Sequence, residues 1–198
     1  MKVVIIKYNA GNIFSVDYAL KRLGIEAEIT GDIEKIKAAD KVIFPGVGEA
    51  ETTMSYLRRH KLDEVICDLK QPVLGICIGL QLMCRSSEEG GSVLCLGIFD
   101  EEVKRFVPTE SIRKVPHMGW NTVRFGDSAL FKGLSQDTYF YYVHSYYATI
   151  GKNTVAATDY IHPYSAALQK DNFYAVQFHP EKSGAMGEIV LGNFLSIK

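Results

Sequence analysis

No stretch of the 198-residue chain approaches the roughly 18 consecutive apolar positions of a membrane-spanning helix. The first apolar segment is interrupted at Lys7, too soon for the core of a secretory signal peptide. An excess of charge of one sign is missing too: 22 basic and 23 acidic residues leave a net charge of −1, and the signs are interspersed. That balance excludes the one-sided basic field on which nucleic-acid binding depends. Cysteine is scarce, and the four present, at 67, 77, 84 and 95, form no C-x-x-C pair, so neither a zinc site nor a redox dithiol is indicated. There is no phosphate-cradling P-loop, internal repeat, low-complexity tract or linker. What is present is 47% hydrophobic content, enough for one substantial core. Together these features predict one domain over residues 1–198, in the cytoplasm with reduced thiols, away from membranes and nucleic acid.

The first half alternates between strand-like and helix-like segments. Residues 2–8 form a β-branched run, and 12–24 read as a helix with Phe14, Tyr18 and Leu20 near helical spacing and Gly24 as its stop. Residues 25–30 alternate with period two, Asp32 opens a short helix, and 41–45 read as a buried strand. Helices over about 49–59 and 61–69 precede a strand at 73–76. This order predicts βαβ units around a parallel sheet. From about residue 103 strand signals crowd together, the turn Lys170-Asp171-Asn172 predicts a hairpin, and a last helix starts near 183 with Met186, Ile189, Val190 and Phe194 on one face. The expected fold is α/β: an open mixed, mainly parallel sheet flanked by helices, with antiparallel strands in the C-terminal half.

Cys77 sits in the pattern G-x-C-x-G between Gly75 and Gly79, the cysteine form of a nucleophile elbow. Glycines suit it because a Cβ on either side would collide with the neighbouring strand or helix. The motif alone leaves open a core cysteine beside helix-packing glycines. A nucleophilic cysteine needs a base, and the base an orienter. Among the histidines at 60, 117, 144, 162 and 179, only His179 follows a strand and has a carboxylate close by, Glu181. Pro180 biases His179 toward extended backbone, and residues two apart on an extended chain project to one side. Taken alone, His-Pro-Glu is equally a surface turn. Pro45-Gly46-Val47-Gly48 ends a strand with a loop whose backbone amides can point outward and, with the Ile78 amide, form a two-donor oxyanion hole.

Pro45–Gly48, Gly75–Met83 and Gln177–Glu181, in this order and spanning nearly the whole chain, resemble the class I (triad) glutamine amidotransferases. Residues 8–16, 115–121 and 139–147 are most similar to the sub-family of glutaminase subunits of imidazole glycerol phosphate synthase. The resemblance implies a flavodoxin-like fold, Cys77 as nucleophile, His179 as acid–base residue and Glu181 as its orienter, with Val47, Gly48 and Ile78 at the oxyanion hole. It implies that Gly46, Gly79, Gln81, His144, Ser145 and Tyr146 hold L-glutamine. It further implies that the partner is a (β/α)8-barrel cyclase subunit, met by Asn12, Pro116, His117, Met118, Trp120 and Asn121, and that the chemistry needs no cofactor or metal. Two alternatives remain: the glutaminase subunit of another synthase, such as one making pyridoxal phosphate, and a non-catalytic assembly subunit of the same fold. The chain departs from the family in its first loop, where Lys7-Tyr8-Asn9-Ala10-Gly11-Asn12 stands for Asp-Tyr-Gly-x-Gly-Asn. Cys67, Cys84 and Cys95 read as core residues, His60 as a solvated helix end and His162 as an exposed loop residue.

Overall fold

The computed structural model describes residues 1–8, 13–46, 48–108 and 114–198. Strands β1 (Val3–Ile6), β2 (Ala27–Thr30), β3 (Lys41–Phe44) and β4 (Val73–Ile76) are parallel and lie in the order β2-β1-β3-β4. Every residue of β1, β3 and β4 is buried, as strands covered on both faces require, which is why they read as unbroken apolar runs. The covering helices are α1 (Ile13–Arg22), α2 (Ile33–Lys37), α3 (Ala50–Arg59) and α4 (Leu62–Asp68). Asp32 caps α2 by accepting from the amides of Glu34 and Lys35. Gly24 ends α1 at φ +75°, a conformation that suits a residue without Cβ.

The second half adds α5 (Ile78–Met83), β5 (Ser86–Ser87), β6 (Val93–Leu94), β7 (Glu102–Arg105), β8 (His117–Phe125), β9 (Thr138–His144), β10 (Tyr146–Ala148), β11 (Thr154–Asp159), β12 (Pro163–Lys170), β13 (Phe173–Val176) and α6 (Gly184–Ser196). β13 inserts parallel to β4, and the antiparallel run β12-β11-β8-β9 continues outward, so nine strands from both halves share one mixed sheet. The predicted hairpin is there, closing β12 onto β13 with Lys170 paired to Phe173. A second sheet, β10-β7-β5-β6, is an addition to what the sequence indicates. Residues 138–150 look like one strand, but the chain leaves the large sheet at Ser145 and enters the small one.

Alternation along β1 sends Val4 and Ile6 to one apolar cluster and Val3 and Ile5 to another, one on each face of the sheet. Four sequence expectations change here. On α1 the buried residues include Ile13, Val16, Ala19 and Leu20, while Phe14 and Tyr18 are 69% and 62% exposed. On α6 the buried face is Gly187, Val190, Leu191 and Phe194, leaving Met186 outside and Ile189 half-buried. Cys84 is a core residue, but Cys95 is half-buried and Cys67 exposed, because α4 buries Leu62, Val65 and Ile66 instead. His60 is an exposed helix end, as expected. His162 is half-buried, its ring 4.4 Å from that of Tyr147.

Candidate active site

Pairing of β4 with β13 brings the site together. Ile76 lies beside Val176, so both chains leave the sheet at the same edge, and the Cys77 amide donates to the Val176 carbonyl at 2.8 Å. This is the carboxyl edge of the parallel strands, where open α/β sheets place their sites. Cys77 is held at φ 55°, ψ −107°, a strained position for a residue with a Cβ, on the turn that starts α5. The flanking glycines explain how the turn fits. A Cβ on Gly79 would lie 2.0 Å from the Phe44 carbonyl oxygen, and one on Gly75 would lie 2.9 Å from the Met83 sulfur.

His179 follows β13 after two residues, in extended backbone at φ −98°, ψ 94°. Its Nδ1 is 2.8 Å from Glu181 Oε1, with both side chains fully enclosed. Glu181 reaches it from a 3-10 turn, Pro180–Lys182, and not from the extended chain that the spacing suggested. His179 Nε2 is buried with no hydrogen bond of regular geometry. Burial opposes an imidazolium, but the sulfur and the Glu181 carboxylate outweigh it and push the His179 pKa up to about 10.

In front of the sulfur lies a cavity of about 290 Å³. Its lining gathers eight residues singled out from sequence: Gly48, Cys77, Ile78, Gln81, Pro116, His144, Ser145 and Tyr146. Gly48 has φ +144°, a conformation suited to glycine. Gly46 and Gly79 do not line the cavity. Gly46 is buried where a Cβ would meet the Tyr8 hydroxyl at 2.0 Å and Ile78 Cγ2 at 2.1 Å, so both glycines act by permitting close packing. The His144 side chain turns inward, Nδ1 2.7 Å from the Tyr146 carbonyl, and burial pushes its pKa down to about 3. Asn12 and Val47 lie outside the described residues.

The Pro116–Asn121 segment divides by strand alternation. Met118 and Trp120 are exposed, at 63% and 56%, Pro116 is exposed and Asn121 half-buried. His117 is 3% exposed, contrary to its placement at a partner surface. It is stacked on Tyr160 at 4.0 Å and on Tyr142 at 4.8 Å, and burial pushes its pKa down to about 4.

Three residues were missed by sequence reasoning. Gln177, wholly buried, points its amide nitrogen at the Cys77 sulfur from 3.7 Å. Its signal was its position two before His179 on the same extended chain. Glu89 lines the cavity, accepts from the Ala50 amide at 2.9 Å and has its pKa raised, chiefly by burial. Tyr8 donates its hydroxyl to the Pro45 carbonyl at 2.5 Å, clamping the base of the 45–48 loop. Neither of the last two has a local sequence signal, since their partners lie 39 and 37 residues away.

The profile of the family "Glutamine amidotransferase class-I" matches residues 4–196. The chain belongs to the class-I glutamine amidotransferases. Within that family it is 66% identical over 197 residues, covering all of both chains, to the imidazole glycerol phosphate synthase subunit HisH of Bacteroides fragilis strain YCH46. It is 45% identical, again over the whole of both chains, to the subunit of the same name in Escherichia coli K12. Among solved structures of the same fold, a putative GMP synthase subunit from Thermoplasma acidophilum superposes with a TM-score of 0.74 at 20% identity, covering 98% of this chain and 92% of that one.

Proposed function

We propose that residues 1–198 form a single glutaminase domain that releases ammonia from L-glutamine for a cyclase partner, as one subunit of a cytoplasmic imidazole glycerol phosphate synthase. The observation that carries this is the meeting of Cys77, His179 and Glu181 at one end of the cavity just described. The full-length likeness to HisH subunits supports this synthase over one making pyridoxal phosphate. A nucleophile-type sulfur facing a buried histidine whose pKa is raised supports turnover over a purely structural role.

The Cys77 thiolate attacks the glutamine side-chain carbonyl carbon, and the carbonyl oxygen takes the negative charge against the backbone amides of Gly48 and Ile78. As the C–S bond becomes a thioester, the sulfur loses its charge, and with it the largest influence raising the His179 pKa. The imidazolium therefore gives up its proton as the C–N bond breaks, and ammonia leaves. Water then attacks the thioester while His179 takes its proton, glutamate departs and the thiolate–imidazolium pair is restored. Glu181 holds the imidazole throughout. Glu89, the one acidic side chain in the lining among the described residues, suits the substrate's α-ammonium.

Among the described residues, none lining the cavity is built to use the ammonia. The proposed user is a (β/α)8-barrel subunit that converts the N′-ribulosyl phosphoribosyl aminoimidazole carboxamide intermediate to imidazole glycerol phosphate. Free ammonia at neutral pH is mostly ammonium and a poor nucleophile, so direct transfer makes chemical sense. The turn carrying Glu181 packs against both α1 and β9, and those elements with β8 expose Phe14, Tyr18, Met118, Trp120 and Tyr139. Exposed aromatic and methionine side chains of this kind mark contact surfaces. Mixing the chain with purified barrel subunits should raise glutamine hydrolysis with the imidazole glycerol phosphate cyclase and not with a pyridoxal phosphate synthase barrel. Stimulation by the latter alone would refute the assignment.

Trp120→Ala should weaken binding to the cyclase on the order of 30-fold, as loss of a hot-spot aromatic does, with the melting temperature unchanged. Calorimetric titration and a thermal melt check this. A fall in melting temperature with unaltered affinity would make Trp120 a packing residue.

A further inference from the structure

Two buried amides stand between the substrate-facing strand and the nucleophile, and their hydrogen bonds admit one orientation. Gln81 Nε2 is 2.9 Å from the Tyr146 carbonyl oxygen and 3.0 Å from Gln177 Oε1. A backbone carbonyl only accepts, so Gln81 must present its NH2 group there, and the same nitrogen then meets the oxygen of Gln177. The Gln177 oxygen is thereby occupied, which turns its Nε2 toward Cys77 Sγ at 3.7 Å. Flipping Gln81 would set its oxygen against the Tyr146 carbonyl, and flipping Gln177 would set its NH2 against that of Gln81 and its oxygen against the sulfur, in a buried site where an unmatched donor or acceptor is costly.

We propose that Gln177 is a catalytic residue, a fixed hydrogen-bond donor that stabilises the negative sulfur of Cys77, with Gln81 as the positioning residue that sets its orientation. A neutral thiol gains little from an N–H donor, whereas a thiolate gains a charge-assisted bond. An amide that cannot turn its oxygen to the sulfur therefore favours the ionised form. α5, only six residues long, has a short row of aligned peptides to offer the sulfur, which leaves a direct donor more to do. The chain of bonds also ties Tyr146, in the cavity wall, to the electrostatics of the nucleophile.

This inference rests on Cys77 being the nucleophile. The test follows alkylation of Cys77 by iodoacetamide against pH, read by mass spectrometry of its peptide, together with the ultraviolet thiolate absorbance of each variant minus the same variant carrying Cys77→Ala. Gln177→Met keeps the length and loses the donor; its midpoint should rise by about one pH unit, with alkylation at neutral pH about tenfold slower. Gln177→Glu sets an acceptor oxygen against the sulfur and should shift the midpoint further. Gln81→Met, which frees Gln177 to turn over, should shift it the same way by less, and stands as the test if neither Gln177 variant folds. A merely structural role would lower the melting temperature and leave the midpoint in place, and that result in any folded variant overturns the proposal. Failure of the nucleophile assignment looks different: the wild-type Cys77 peptide would resist alkylation, and Cys77→Ala would hydrolyse glutamine normally.

Discussion

Cys77→Ala abolishes glutamine hydrolysis, with kcat falling by at least about 10⁴-fold, while the melting temperature stays within a degree or two of the wild type. The second half of that expectation comes from the backbone. Alanine carries the same Cβ as cysteine, so the strained φ of 55° costs the variant no more than it costs the native chain. What disappears is the sulfur, and with it the bond that holds the acyl group. His179→Gln should come close to the same loss, because it removes the imidazole that faces the Cys77 sulfur and hands the proton to the leaving nitrogen. Glu181→Gln should cost less, about 10²-fold. Its amide oxygen can still accept from Nδ1, but the carboxylate charge that supports the imidazolium is gone. Steady-state glutaminase assays with the cyclase present separate the three. Equal losses for all three would contradict an orienting role for Glu181, and full activity in Cys77→Ala would remove the nucleophile.

The triad was legible in the sequence because each member carries a local mark: two glycines around Cys77, a strand before His179, a proline and a carboxylate after it. Gln177 is marked only by its place two before His179, and Glu89 carries nothing that distinguishes it from any other polar residue. Their importance comes from what lies opposite once β13 pairs with β4 and the 88–92 segment reaches the start of α3. His117 is a different kind of miss. It was grouped with Trp120 by proximity along the chain, yet residues three apart on a strand point to opposite faces, so an exposed Trp120 already implies an inward His117.

The fold divides in the same way. Strands β1, β3 and β4 were readable because burial on both faces leaves no room for polar residues. Strands β5 and β6 are two residues each and too short to show any period. α1 was found, but its apolar pattern covers both sides, with Ile13, Val16 and Leu20 facing the sheet and Phe14 and Tyr18 facing out. A helix that packs on its own core and also exposes aromatic side chains has no single apolar face, so periodicity locates it without orienting it.

Gly79→Ala should be among the substitutions most damaging to stability that add a single methyl group. The new Cβ would lie 2.0 Å from the carbonyl oxygen of Phe44, and the obstacle is backbone of a central strand, not the end of a flexible side chain. Either β3 shifts or the elbow opens, and each breaks packing that is wholly buried. Overpacking of this severity costs about 3 kcal/mol, which for a chain of this length lowers the melting temperature by roughly 6–12 °C. Gly192→Ala is the control. It sits in α6 with nothing within 4 Å of its Cβ, so the helix preference for alanine should make it neutral or slightly stabilising. The consequence for function follows from chain order: Phe44 leads straight into Pro45 and Gly46, so moving its carbonyl moves the amides meant for the oxyanion. Whatever fraction of Gly79→Ala remains folded should therefore react poorly with a diazo-ketone analogue of glutamine, which alkylates a nucleophilic cysteine, and hydrolyse glutamine at least tenfold more slowly, about one oxyanion donor's worth or more. A Gly79→Ala chain that melts with the wild type would mean that β3 and the elbow do not approach each other as closely as described, and the placement of the oxyanion loop would fall with it.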